Sequence, residues 1–225
     1  MTPRSFWNRL TARSDADALS LYLSVAGREF LIDPGTYAYH TRPRWRDYFR
    51  GTSAHNTVRV DGENQSVIAG NFMWSHKAAA WCEAFTSDAS EDRFVGCHDG
   101  YLRLPDPVLH RREIRFLKAE GLIVVTDRIE CSGEHKVERF WHFSERCSVK
   151  VEGRAVLAAN DGKELSMEDP DGQGTVHVFH GDDELPLGWV SRRFDWKEPA
   201  STAVWRSRVA GTTVLRTVIS IRHTS

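Results

Sequence analysis

The stretch REIRFLKAEGLIVVTDRIE, residues 112–130, reads as two strands, 112–117 and 122–129, folded back on each other at Glu120-Gly121. Glycine supplies the backbone freedom that a tight reversal needs. The same kind of pattern recurs on both sides. Leu19, Leu21 and Leu23 alternate with Ser20, Tyr22 and Ser24, a period of two that marks a half-buried strand. Ala26-Gly27 turns the chain into REFLID, 28–33, which Pro34-Gly35 ends. Further strand candidates are 57–60, closed by Asp61-Gly62, then 79–85, 93–97, 137–143, 147–151, 175–179, 202–209 and 213–221. Helical periodicity is weak throughout, with room for a short helix at 8–12. The pattern predicts an all-β protein, a large antiparallel β-sandwich of two stacked sheets. Two segments interrupt it. Residues 36–54 read as a long aromatic and arginine-rich connection, and connections of that length are often functional. ANDGKELSMEDPDGQG, 159–174, reads equally as a domain boundary or as a loop between two late strands. The division expected is a lead-in at 1–14 and one sandwich domain at 15–225.

The bulk properties narrow the class. At 225 residues with 40% hydrophobic content, the chain can bury a sizeable core. Its formal net charge is -1, with basic residues scattered among acidic ones, so it lacks the basic stripe that nucleic acid requires. No apolar run approaches the ~20 residues of a membrane span. MTPRSFWNRLTARSD lacks the apolar stretch and cleavage site of a secretory signal, which leaves a cytoplasmic protein or the downstream part of an exported one. Cys82, Cys97, Cys131 and Cys147 show no metal-type spacing and read as small core residues rather than disulfides. Eight tryptophans serve either a thick core or sugar-stacking platforms.

Three residues at strand ends form the first candidate site. Asp15 precedes the first strand, Asp33 ends the second and His55 precedes the third. Two carboxylates and an imidazole make an acceptable set of ligands for a divalent metal. Aspartate and histidine before strands also serve as turn formers and caps. A second cluster is Tyr37, Tyr39, His40, Arg42, Arg44, Trp45, Arg46, Tyr48 and Arg50. Arginine forks suit carboxylates and aromatic rings suit sugars, so this segment fits a uronic acid. It equally fits an ordered loop held by arginine–carbonyl bonds. His98 and His142 read as packed histidines, and His76 as a rim residue.

LIDPGTYAY followed by WRDYFRGTSAHNTVRVDG resembles the β-sandwich part of the heparinase II/III-like polysaccharide lyases, a group that includes alginate lyases. HDGYLRL, REIRFL, LIVVTDRIE and GWVSRRFDWKEPA extend the resemblance from about Ala16 to Ile221. It implies an upstream α/α-toroid, with acidic polysaccharide held between toroid and sandwich and cleaved by β-elimination. It also implies a periplasmic or extracellular setting and a structural Zn2+. In that register Arg13 stands where the family has a substrate-facing histidine, and Asp15 where it has a metal-binding histidine. Asp17 matches the family's aspartate, while Asp33 and His55 match the other two metal positions. Arginine stays protonated near neutral pH, so Arg13 can neutralise a substrate carboxylate but cannot act as a base. Tyr48 is the local phenol for acid–base work, with Tyr37 or Tyr39 as the other counterparts. Tyr39, Arg44, Trp45, Arg46 and Arg50 are the expected substrate contacts. The alternative is a carbohydrate-binding or exopolysaccharide-assembly module whose active site has decayed.

Overall fold

The computed structural model describes residues 15–222. Strands follow in chain order as β1 (Leu23–Val25), β2 (Arg28–Leu31), β3 (Val58–Val60), β4 (Val67–Gly70), β5 (Met73–His76) and β6 (Ala80–Ser87). Next come β7 (Glu91–His98), β8 (Leu109–Leu117), β9 (Leu122–Glu130), β10 (Glu134–His142), β11 (Ser148–Glu152) and β12 (Ala155–Asn160). β13 (Lys163–Glu168), β14 (Thr175–His180), β15 (Trp189–Arg193), β16 (Trp196–Pro199), β17 (Ser201–Ala210) and β18 (Thr213–Arg222) complete the set. Eight of them form one sheet in the order β11-β12-β13-β18-β9-β8-β7-β6. Four form a second, β14-β17-β10-β3, and its pairings are all antiparallel.

The sheets close on a core that includes Ile123, Val125, Val156, Leu165, Met167 and Ile219 from the large sheet. Trp141, Ala203 and Trp205 meet it from the small one. The small sheet is covered on its other face as well. There Phe140 and Val204 pack against Tyr37, Ala38, Tyr48, Phe49 and Ala54. This double cover explains why Phe140–His142 and Ser201–Trp205 are buried at every position, although a sheet with one wet face would alternate.

The covering segment corrects the first expectation. Residues 36–54 contain an α-helix, α1 (Pro43–Arg50), followed by a 3₁₀ turn at Thr52–Ala54. Proline in its first turn favours the start, and eight residues are too few for helical periodicity to stand out. The strand expected from Leu19 begins only at Leu23, because Leu19 has a left-handed φ of 62° that breaks extension. The 159–174 segment is no domain boundary. It holds the end of β12, the β12–β13 reversal and all of β13, which pairs with β12 and β18 inside the large sheet. The hairpins β4–β5 and β15–β16, short and interrupted by bulges, were not evident in the sequence.

All four cysteines are free thiols. Among the described residues, no helix is long and apolar enough to cross a membrane.

Candidate functional site

Residues 15–22 run ahead of β1 without pairing as a strand, and side chains stitch them in place. The Ala18 N–H donates to Gln65 Oε1 at 2.9 Å, and its carbonyl accepts from Thr57 Oγ1 at 2.8 Å. The centre of the stitching is Asn56, fully buried. Its Nδ2 donates to the carbonyls of Leu21 at 2.7 Å and Ile32 at 3.0 Å, and its Oδ1 accepts the His142 N–H at 2.6 Å. One amide thus binds together the lead-in, the end of β2 and the end of β10. Its neighbours His55 and Asp33 converge as a consequence.

A buried ionic chain supports the knot from the large sheet. Arg112 Nη1 donates to the carbonyls of Leu19 at 2.8 Å and Asn56 at 2.6 Å. Its other nitrogens fork onto Asp127 at 2.7 and 3.0 Å. His110 Nε2 lies 2.7 Å from the same carboxylate, and His98 Nε2 lies 3.0 Å from His110 Nδ1. Burial alone would raise the Asp127 carboxyl, but Arg112 and His110 hold it well below the usual range. His98 and His142 are buried, as expected of packed histidines, and His76 is exposed.

Asp33 opens the Asp-Pro-Gly turn. Its Oδ1 accepts the Gly35 N–H at 2.7 Å, and its Oδ2 accepts from Tyr22 Oη at 3.1 Å. Gly35 has φ 88°, and a Cβ there would stand 2.1 Å from the Ser191 carbonyl oxygen, so only glycine fits. Burial pushes the Asp15 carboxyl upward; His55 pulls it down and Asp33 adds to the rise. The three expected metal residues are therefore electrostatic neighbours. His55 is fully buried, and among the described residues neither ring nitrogen has a hydrogen-bond partner. Buried imidazole nitrogens are costly to leave unsatisfied, so this ring fits a bound cation. The set is open: three donor atoms within 4.8 Å of one another are found at Asp106, Cys131 and His135 instead.

The expected substrate residues divide. Tyr39 is half exposed and stacks between Phe72 and Phe194, at centroid distances of 6.2 and 5.6 Å. Phe72 and Phe194 are themselves exposed, so the three rings make an open aromatic shelf. Arg46 lies beneath it, 5.4 Å from the Tyr39 ring. Arg46 and Arg50 are buried and bond the Asn71 carbonyl, while Arg50 also stacks on Trp74 at 4.4 Å. Arg46 Nη1 and Arg50 Nε and Nη2 keep donors without a partner among the described residues. Exposed Arg44 holds the carbonyls of Asp183 and Glu184, and Trp45 packs edge-on against Trp189. Structural roles thus occupy Arg44 and Trp45.

Tyr48 does not suit the acid–base role. Its ring is in the core, its hydroxyl is buried without a partner, and burial drives its pKa upward. Tyr37 is buried as well. Arg13 lies outside the described residues. Sequence reasoning missed Asn56, Gln65 and the Arg112–Asp127 pair. The only available signal for Asn56 was its place in AHNTV beside His55.

A family model described as heparinase II/III-like, C-terminal, matches residues 7–218. Comparison with curated proteins gives no match. Among solved structures, the heparan sulfate lyase HepC from Pedobacter heparinus is 18% identical with a TM-score of 0.76. That likeness covers 94% of this chain and 31% of the lyase. A structure of heparinase III is 17% identical with a TM-score of 0.74, covering 94% of this chain and 30% of the other. The chain thus spans about three-tenths of the structures it matches.

Proposed function

The chain belongs to the heparinase II/III-like family through the family's C-terminal domain, and from that membership we propose that it is the sandwich half of an acidic-polysaccharide lyase. The substrate class is a polymer containing uronic acid. A separate α/α-toroid domain or chain completes the cleft. In the reaction, a base takes the C5 proton of the uronate, the C4–O bond breaks, a C4–C5 double bond forms, and an acid protonates the departing oxygen. Neutralising the sugar carboxylate makes the C5 proton removable. The acid and base come from the toroid, because the local phenol of Tyr48 is sealed in the core.

The sandwich contributes a surface and a fixed frame. Tyr39, with Phe72 and Phe194, offers faces on which sugar rings stack. Arg46 and Arg50, with unpaired donors, supply positive charge behind that shelf, and Arg13 adds a cation at the family's histidine position. Asp15, Asp33 and His55 would hold a structural Zn2+. The ion would cross-link the lead-in, the DPG turn and the segment before β3. The observation that carries the metal reading is the buried His55 ring with both nitrogens unpartnered among the described residues. Family membership supports a periplasmic or extracellular setting.

The test follows absorbance from the new C4–C5 double bond with heparan sulfate, heparin and alginate. Absorbance is expected when a family toroid is supplied, and little without it. No absorbance with any polymer under either condition overturns the lyase reading. A second reading is a non-catalytic polysaccharide-binding or assembly module. It is favoured by the burial of Tyr48 and by the commitment of Arg44 to backbone carbonyls. Retarded migration through a gel containing the polymer, without cleavage, would select it.

A further inference from the structure

A second convergence of metal-binding side chains lies at the opposite end of the small sheet. His55 precedes β3 and Asp61 follows it; His142 ends β10 and His135 stands near its start. Around His135, the donor atoms of Asp106, Cys131 and His135 all lie within 4.8 Å of one another. We infer that Asp106, Cys131 and His135 form a binding site for a zinc-type divalent metal ion, independent of the lyase reading.

The argument starts from the imidazole. Its Nδ1 stands 2.6 Å from Asp61 Oδ2, and Asp61 is itself fixed by the Lys136 N–H on Oδ1 at 2.8 Å. A carboxylate at Nδ1 takes that nitrogen's hydrogen and turns a lone pair out through Nε2, the way outer carboxylates orient histidine ligands on metals. Nε2 then lies 2.8 Å from Asp106 Oδ2. Two lone pairs at that distance repel, so a cation stands between them: a proton or a metal ion.

Cys131 points to the metal. A proton clamp between imidazole and carboxylate has no use for a thiol, yet Cys131 Sγ joins the other two donors. Its only described hydrogen bonds go to the carbonyls of Gly211 at 3.1 Å and Gly133 at 3.7 Å. Thiolate, imidazole and carboxylate together suit zinc rather than magnesium or calcium. Zinc–ligand bonds of about 2.0–2.3 Å set neighbouring donors roughly 3.3–3.8 Å apart, so Nε2 and Oδ2 must part by about half an ångström. The site can give by that much, since Asp106 is on the connection between β7 and β8 and Cys131 is in the β9–β10 reversal. Asp106 is about a third exposed, which provides an entry path and room for a water as fourth ligand.

Cobalt titration of the metal-free chain separates this site from the other end. Only this site offers sulfur, so a thiolate-to-cobalt charge-transfer band in the near ultraviolet reports it alone. The band is expected in the unaltered chain and in His55→Ala. It should vanish in Cys131→Ser, and cobalt affinity should fall about tenfold or more in Asp61→Asn, which loses the orienting carboxylate. In the unaltered chain, Zn2+ should also slow alkylation of Cys131, read by peptide mass, while exposed Cys82 reacts at the same rate. Absence of the band together with unprotected Cys131 overturns the site and leaves a proton clamp.

Discussion

Strand β10 carries a histidine near each end, and the two ends treat an imidazole in opposite ways. His135 and His142 are seven residues apart, about 23 Å along an extended strand. At His135, burial alone would lower the pKa, but hydrogen bonds to Asp61 and Asp106 outweigh it and the net shift is upward. At His142 burial again lowers the pKa, proximity to His55 lowers it further, and the ring falls to about 3. One end is a rim of turns that supplies carboxylates to a histidine. The other is a dry knot that holds His142 neutral, with ring nitrogens left over. His142 Nδ1 meets Thr202 Oγ1 at 2.9 Å, whereas its Nε2 and both nitrogens of His55 have no partner among the described residues. The metal proposal for the dry end thus rests on buried ring nitrogens without a partner, and that for the rim end on an orienting carboxylate.

The largest expected effect breaks the dry end alone. Arg112→Met leaves Asp127 buried without its guanidinium and releases the carbonyls of Leu19 and Asn56. Losing one partner of a buried ion pair costs about 3–5 kcal/mol, to be read from urea unfolding. Asn56→Ala removes three buried bonds from the same knot and should cost about 2–4 kcal/mol. Zinc retention at the Asp15 end should drop with it, while cobalt binding at Cys131 stays unchanged.

Proton linkage sharpens the contrast with no metal present. His135 has a folded pKa above its ordinary 6.5, so its stabilisation is full below that value and is lost as pH rises through the folded pKa. His142 has a folded pKa below 6.5, so its contribution is full above 6.5 and is lost as pH falls toward about 3. In chelator, His135→Gln should therefore destabilise more at pH 6 than at pH 9. His142→Gln should show the reverse trend, its cost shrinking as pH falls from 7 to 5. Parallel trends would mean that the two ends are not electrostatically distinct. The smallest effect belongs to Tyr48→Phe. It removes a buried hydroxyl with no described partner, so stability should change by less than about 1 kcal/mol and any lyase activity should persist.

Long strands were legible because alternation survives over eight to ten residues, as in β8, β9 and β18. The DPGTY and AHNTV segments carry Asp33 and His55, which the fold brings close to Asp15. Shorter strands were legible only where turn residues bounded them, as for β2 and β3. Helix α1 and the β4–β5 and β15–β16 hairpins are too short for a period to emerge, and Gly162 beside Asp161 made a hairpin reversal look like a linker. The arginine-rich segment shows a further limit. Composition suited a substrate surface, but Arg44, Arg46 and Arg50 all reach backbone carbonyls that no local pattern reveals. The Asp61–His135 contact spans 74 positions and carries no spacing motif, so the rim cluster was invisible before the fold brought it together.

Metal content, measured on zinc-loaded and desalted protein by elemental mass spectrometry, tests the account most directly. The unaltered chain should retain about two zinc ions, with about one lost in His55→Ala and a different one in Cys131→Ser, each variant remaining folded by circular dichroism. Retention of less than about half an ion by the unaltered chain would contradict both ends at once.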